Sequence, residues 1–224
     1  HITRNHGYMV YDVLTAVDEN FEPQPQMASW EVSEDGLVYT FTLRDGLMFH
    51  DDAPVTGEDV VASLKRWGKR DGGGQLIFDV TESLEASDEK TVVWTLTEPF
   101  GPLLSVISKQ SAVPPFIMPK RVAETSADET ITEYIGSGPF VFNQDEYEPG
   151  VNVTYEKFDD YVPRDEEASW MAGGKVVNVD RVVWTTMPDA LTAINALSAG
   201  EIDYLEQVQI DLLPILESSP EVTV

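Results

Sequence analysis

The stretch WEVSEDGLVYTFTLRDGLMFHDDAPVTGEDVV, Trp30 to Val61, decides how this chain folds. Apolar residues alternate from Val38 to Leu43, the period-2 pattern of a half-buried strand, and a shorter strand starts at Trp30. Between them lies Glu34-Asp35-Gly36. Asp-Gly between alternating segments signals a hairpin, because glycine supplies the positive φ that tight turns need. Arg44-Asp45-Gly46 makes a second turn. Thr56 then stands three residues ahead of Asp59 and just before Val60, Val61 and Leu64. That spacing predicts a capping box opening an amphipathic helix from Thr56 to Trp67.

Working outward, Asp71-Gly72-Gly73-Gly74 reads as a loose surface turn that ends this helix. Ser83 to Leu96 predicts two antiparallel strands joined through Ser87-Asp88-Glu89-Lys90, and Phe100 to Ile107 a short helix before the break at Pro114-Pro115. Upstream, Met9, Val10, Val13 and Leu14 predict a helix over His6 to Ala16. Glu22-Pro23-Gln24-Pro25 cannot be helical and marks a crossing. The last third changes pattern. Val179 to Thr186 reads as a strand, Asp189 as the N-cap of a helix carrying Leu191, Ile194 and Leu197, and Gly200 as its stop. Ile202 to Leu205 reads as a returning strand, and Glu221 to Val224 as one more. Strand, helix, strand at this spacing calls for a parallel pair. The fold class is therefore α/β in the mixed α+β sense, antiparallel in the middle and α/β at the ends.

Composition limits function without naming it. Forty acidic against fourteen basic residues give a charge of −26, and no Lys or Arg follows Arg181. Such a surface repels phosphate backbones and anionic membranes, so no nucleic acid is expected as a partner. The carboxylates read first as a solvated shell, and second as adaptation to a salty habitat. With no cysteine there are no disulfides, thiolate metal sites or cysteine nucleophiles.

Chemistry-bearing clusters are few. His50-Asp51-Asp52 has metal-ligand types, but adjacent residues point apart and no histidine follows, so it reads as a polar turn with no metal and no cofactor. Ser137 lies in Gly136-Ser137-Gly138, which lacks the full nucleophile-elbow pattern. That glycine turn could cradle an anion with backbone N–H groups, although GxGxxG is not completed. Trp30, Trp67 and Trp94 sit in periodic apolar positions and read as core. Tyr8, Tyr11, Tyr204 and Trp170 stay open as pocket aromatics.

Beyond these readings, the Trp30 to Val61 string resembles the signature of the family 5 extracellular solute-binding proteins of ABC importers. So do YDVLTAVDENFEPQPQMASW at Tyr11 to Trp30, PFIMPKRVAE at Pro115 to Glu124, YIGSGPFVF at Tyr134 to Phe142 and ALTAINALSAGEIDYLE at Ala190 to Glu206, in the family's order. Where relatives have His-Asp-Gly, this chain has Asp52 in place of the glycine. The resemblance implies the first lobe of a periplasmic-binding-protein type II-like fold. Residues 1–14 and 126–224 would form its α/β core, 15–125 an inserted, mostly antiparallel subdomain, and the second lobe would lie outside this chain. It implies a monomer that captures a small solute, above all a short peptide, for ABC permease subunits of the inner membrane. It also implies location in the periplasm, or outside the cell on a lipid anchor. Ligand contacts carried over fall on Ile2, Thr3, Arg4, Asn5 and His6 in the segment ahead of the first helix, on Ser137 and Gly138, and on Tyr204 and Glu206. A carboxylate-dependent hydrolase, and a peptide-holding or sensor receptor without a permease, stay open as alternatives.

Overall fold

The computed structural model describes residues 2–224, with Ile2 described in its backbone only. Helix α1 spans Ile2–Val10, shorter and earlier than its spacing predicts. Two short strands replace its expected end, β1 at Asp12–Val13 and β2 at Thr15–Val17. The Asp12 carboxylate accepts the Val13 N–H at 2.9 Å, offering the backbone a local partner that competes with helix. Pro23–Pro25 forms β3, paired antiparallel with β2, so the proline link is an edge strand.

The predicted hairpin is present as β4, Ala28–Val32, and β5, Val38–Leu43, with Gly36 at φ 71° in the turn. Helix α2, Gly57–Gly68, starts behind Thr56, whose N–H and hydroxyl both donate to Asp59 Oδ2 at 2.8 and 2.7 Å. The glycine run is not a loose turn. It opens a second helix, α3 at Gly72–Asp79, whose N-cap Asp71 accepts the Gly74 N–H at 2.9 Å and pairs with Lys109. Bare glycines let the two helices touch here. A Cβ on Gly74 would sit 2.9 Å from the Gly68 Cα and 3.0 Å from the Trp67 ring.

Strands β6 at Thr81–Ala86 and β7 at Thr91–Leu96 complete a sheet ordered β4-β5-β7-β6, antiparallel throughout. Its inner face supplies Phe41, Leu84, Val92 and Trp94 to one core, where Val60, Leu64 and Trp67 of α2 and Ile77 of α3 also lie. Trp94 and Trp67 are buried as expected, and Trp30 packs half-buried against them. Each buried indole N–H has a partner: Trp94 donates to Thr81 Oγ1 at 2.8 Å and Trp67 to the Val113 carbonyl at 2.7 Å. Helix α4 at Leu103–Ile107, strand β8 at Phe116–Ile117 (paired with β1) and helix α5 at Lys120–Ala123 finish this part.

A second sheet, ordered β11-β10-β9, uses β9 at Phe140–Glu148, β10 at Asn152–Lys157 and β11 at Arg181–Thr185. Thr186 donates to the Val151 carbonyl and Lys157 to that of Asp180, an antiparallel register for β10 and β11. Helix α6, Ala190–Ser198, follows with Asp189 accepting the Thr192 N–H at 2.9 Å and Gly200 at φ 71° just beyond its end. The returning strand at Ile202 to Leu205 and the strand at Glu221 to Val224 are not formed. A single strand has no ladder of its own, and no described strand lies alongside either segment. A 3₁₀ turn at Ile210–Leu212 leads instead into helix α7, Leu213–Glu217. No described helix is long and apolar enough to cross a membrane.

Two compact units result. The larger runs to Asn143 and again over Tyr155–Val182; the smaller holds Gln144–Thr154 and Val183–Val224. The larger is pinned by a buried ion pair. Asp12, fully enclosed, meets Lys175 Nζ at 2.8 Å and accepts the Tyr161 hydroxyl at 3.1 Å. Removing one partner of such a pair strands the other charge without water.

Candidate functional site

Helix α1 ends against the Gly136-Ser137-Gly138 turn. The Gly138 N–H donates to the Val10 carbonyl at 2.9 Å, satisfying a group that the helix end would leave bare. Only glycine allows this approach. A Cβ on Gly136 would lie 2.0 Å from the Val10 carbonyl oxygen.

His50 bolts the turn from its other side. Its N–H donates to the Gly136 carbonyl at 2.9 Å, its Nε2 lies 3.0 Å from the Gly138 carbonyl, and its Nδ1 is 3.4 Å from the Gly136 N–H. A carbonyl can only accept and an amide only donate, so this geometry assigns the neutral ring with the proton on Nε2. Burial lowers the His50 pKa, against opposing effects of the Gly138 bond and of Asp51; the ring stands edge-on to Phe158 at 4.9 Å. The polar turn expected at His50-Asp51-Asp52 is thus a clamp, with Asp52 at φ 63°. Among the described residues no group of His, Asp or Glu side chains converges as a metal-ligand set. The amides of Gly136 and Gly138 are both occupied, by His50 Nδ1 and the Val10 carbonyl, and so do not cradle an anion.

Above the turn lies an aromatic box. His6 Nδ1 is 2.9 Å from the Tyr155 hydroxyl, and its ring meets Phe142 edge-on at 5.0 Å and Tyr134 at 6.4 Å. Tyr134 and Phe142 are themselves perpendicular at 5.6 Å. Burial lowers the His6 pKa, so its ring too is held neutral. Two buried hydroxyls lack partners among the described residues, those of Tyr11 and of Ser137, which is 2% exposed. Buried polar groups are rarely left so. Burial, then Tyr134, raises the Tyr11 pKa, which keeps that phenol a donor.

Of the residues expected to touch ligand, Ser137 and Gly138 lie in the turn that meets the end of α1, and His6 lies one helical turn before that end. Arg4 and Asn5 are half-buried on α1 and Thr3 is exposed; the side chain of Ile2 lies outside the described residues. Arg4 makes no ion pair or hydrogen bond among the described residues. Tyr204, 77% exposed, and Glu206 lie in irregular backbone of the smaller unit rather than at the end of a strand. Reading the sequence missed Tyr134, Phe142 and Tyr155. The first two were marked by position, each flanking GSG within YIGSGPFVF; Tyr155 carried no such signal.

Residues 22–224 match the family described as Bacterial extracellular solute-binding proteins, family 5 Middle. The chain belongs to that family. It is 45% identical over 222 residues, 98% of its own length, to the "Probable peptide ABC transporter periplasmic-binding protein y4tO" of Sinorhizobium fredii strain NGR234. It is 29% identical over 199 residues to the "Probable D,D-dipeptide-binding periplasmic protein DdpA" of Escherichia coli K12. This family 5 chain spans 41% and 36% of those two relatives. Among solved structures, the substrate-binding protein CtaP of Listeria monocytogenes superposes with TM-score 0.77 at 28% identity, covering 97% of this chain and 42% of that one. AgaA of A. tumefaciens R10, solved in complex with agropinic acid, does so with TM-score 0.76 at 28% identity over the same shares.

Proposed function

We propose that this family 5 chain is part of the substrate-binding component of an ABC importer, capturing a short peptide and delivering it to permease subunits of the inner membrane. The observation that carries this reading is the 45% identity, along 98% of the chain, to a relative named as a peptide-binding component. In this reading the protein acts in the periplasm or outside the cell and releases its solute unchanged. Residues 1–14 and 126–224 serve as the α/β core of one lobe, with 15–125 inserted into it. The aromatic box around His6 supplies the apolar wall, and the guanidinium of Arg4 supplies a partner for a carboxylate. A neutral His6 suits this role, because a charged ring would repel a peptide's amino terminus.

Titration of a mixed tripeptide library into the ¹⁵N-labelled chain tests the assignment. A half-enclosed site leaves much of the ligand in water, so binding at about millimolar strength is expected. Amide shifts should centre on Arg4, His6, Ser137 and Gly138. Saturable shifts that spare all four, or none at all by roughly 50 mM peptide, would overturn it.

A further inference from the structure

Two exposed aromatic rings lie outside that site. Among the described residues Phe21 and Trp170 are the only Phe or Trp side chains that are mostly exposed, at 63% and 64%. They are 149 positions apart, yet their ring centroids are 6.3 Å apart with planes tilted by 57°. Both also sit in the left-handed region, Phe21 at φ 63° and Trp170 at φ 54°. For bulky L-residues that conformation is strained, and it persists only where the surroundings force it.

The surroundings do force it. The Asp18 carboxylate accepts the N–H groups of Asn20 and Glu22 at 2.9 and 3.0 Å, and Phe21 N–H donates to the Asp18 carbonyl at 3.0 Å. On the other loop Ser169 and Ala172 exchange backbone bonds of 2.9 Å, and Met171 N–H reaches the Val17 carbonyl at 3.1 Å. Glu19 N–H donates to Ser169 Oγ at 3.2 Å, tying the two loops together. The rings are therefore presented in advance of any partner. Around them the loops carry Glu19, Glu22, Asp165 and Glu167, none with a side-chain partner among the described residues. The two basic residues nearest Trp170 in sequence are already engaged, Arg164 forked onto Glu166 at 2.9 and 2.6 Å and Lys175 paired with Asp12 at 2.8 Å. Strained, rigid, exposed aromatics on loops rich in carboxylates complement a cation, which the ring faces attract and the carboxylates neutralise.

We propose that Phe21 and Trp170 form a docking platform for an arginine side chain on a loop of a partner protein. Arginine fits better than lysine because its planar guanidinium stacks on a ring while donating to carboxylates at its edge. The platform is separate from peptide capture and does not depend on it.

The test uses glycine, which adopts positive φ without strain. Trp170→Gly and Phe21→Gly should each keep or raise Tm, by about 2–4 °C, while removing the platform. In the unaltered chain an acetylated Gly-Arg-Gly amide should move the Trp170 indole N–H signal, identified by its loss in Trp170→Gly. Saturation is expected at roughly millimolar peptide and should weaken in about 1 M salt, with no shift from the neutral citrulline analogue. A fall in Tm for both glycine variants would make the rings structural and overturn the proposal. Equal shifts from arginine and citrulline peptides would overturn it too. So would saturation by tetramethylammonium as tight as by the arginine peptide, which would make the pair a small-cation site.

Discussion

Helix α2 and helix α6 open in the same way and are held in quite different ones. Thr56 and Asp59 cap the first; Asp189 and Thr192 cap the second. Each cap is a contact between residues three apart, so each is encoded locally. Beyond the cap they diverge. Helix α2 sends Val60, Leu64 and Trp67 into a core shared with the four-stranded sheet. Helix α6 buries only Ala193, Ile194 and Ala196, and its Leu191 is exposed. A cap places a helix start; only side-chain burial decides how firmly the helix is held.

The most severe way to break the larger unit goes through its glycine contact rather than its sheet. Gly136→Ala would drive a Cβ into the Val10 carbonyl, 2.0 Å away, where both groups are backbone and cannot swing aside. We expect a loss of about 4 kcal/mol or more by urea unfolding, against ~1 kcal/mol for Asp189→Ala in the smaller unit. Next in size, Lys175→Met leaves the enclosed Asp12 without its 2.8 Å partner and should cost about 3 kcal/mol. If Lys175→Met unfolds at the same urea concentration as the unaltered chain, the pin on the larger unit is not the pair.

A smaller effect follows from the histidines. Burial holds the folded-state pKa of both His6 and His50 below the ordinary 6.5, so below that pH the unfolded chain binds more protons than the folded one. Stability from these rings is complete above 6.5 and is lost as pH falls through 6.5 toward the lowered folded values. Urea midpoints at pH 7.5 and 5.5 should show the drop, and His50→Gln should flatten it. An unchanged slope in His50→Gln would remove His50 from the account. Smallest of all is Asp52→Gly, which relieves a φ of 63° and should leave stability unchanged or raise it by about 0.5 kcal/mol. A loss of stability there would mean that the Asp52 side chain is itself part of the clamp.

How much could be read beforehand follows the same division between local and distant causes. Asp35-Gly36, Thr56 with Asp59, and Asp189 with Gly200 were legible because each signal and its effect lie within a few residues. Val13 and Leu14 misled, since helical spacing there competes with an Asp12 whose partner, Lys175, is 163 positions away. Gly72 to Gly74 misled for a related reason. Glycines that look like slack are needed for the close meeting of α3 with Gly68 and Trp67. In the site, His6 came from the family likeness alone, whereas the GSG turn also stood out by its glycines, though with another role. The role of His50 was hidden because its partners, Gly136 and Gly138, are 86 and 88 residues further on.

Native-state hydrogen exchange tests the central claim, that the site's scaffold is held with the sheet core while α6 is held separately and weakly. The amides of Phe41 and Trp94 should exchange only through global unfolding. Those of His50 and Gly138, each bonded to a backbone carbonyl at 2.9 Å, should exchange at similar free energy. The amides of Ala193 to Leu197 should exchange at least about 100-fold faster, a gap of roughly 2.7 kcal/mol. Equal protection in α6 and the sheet, or His50 and Gly138 exchanging as fast as α6, would contradict it.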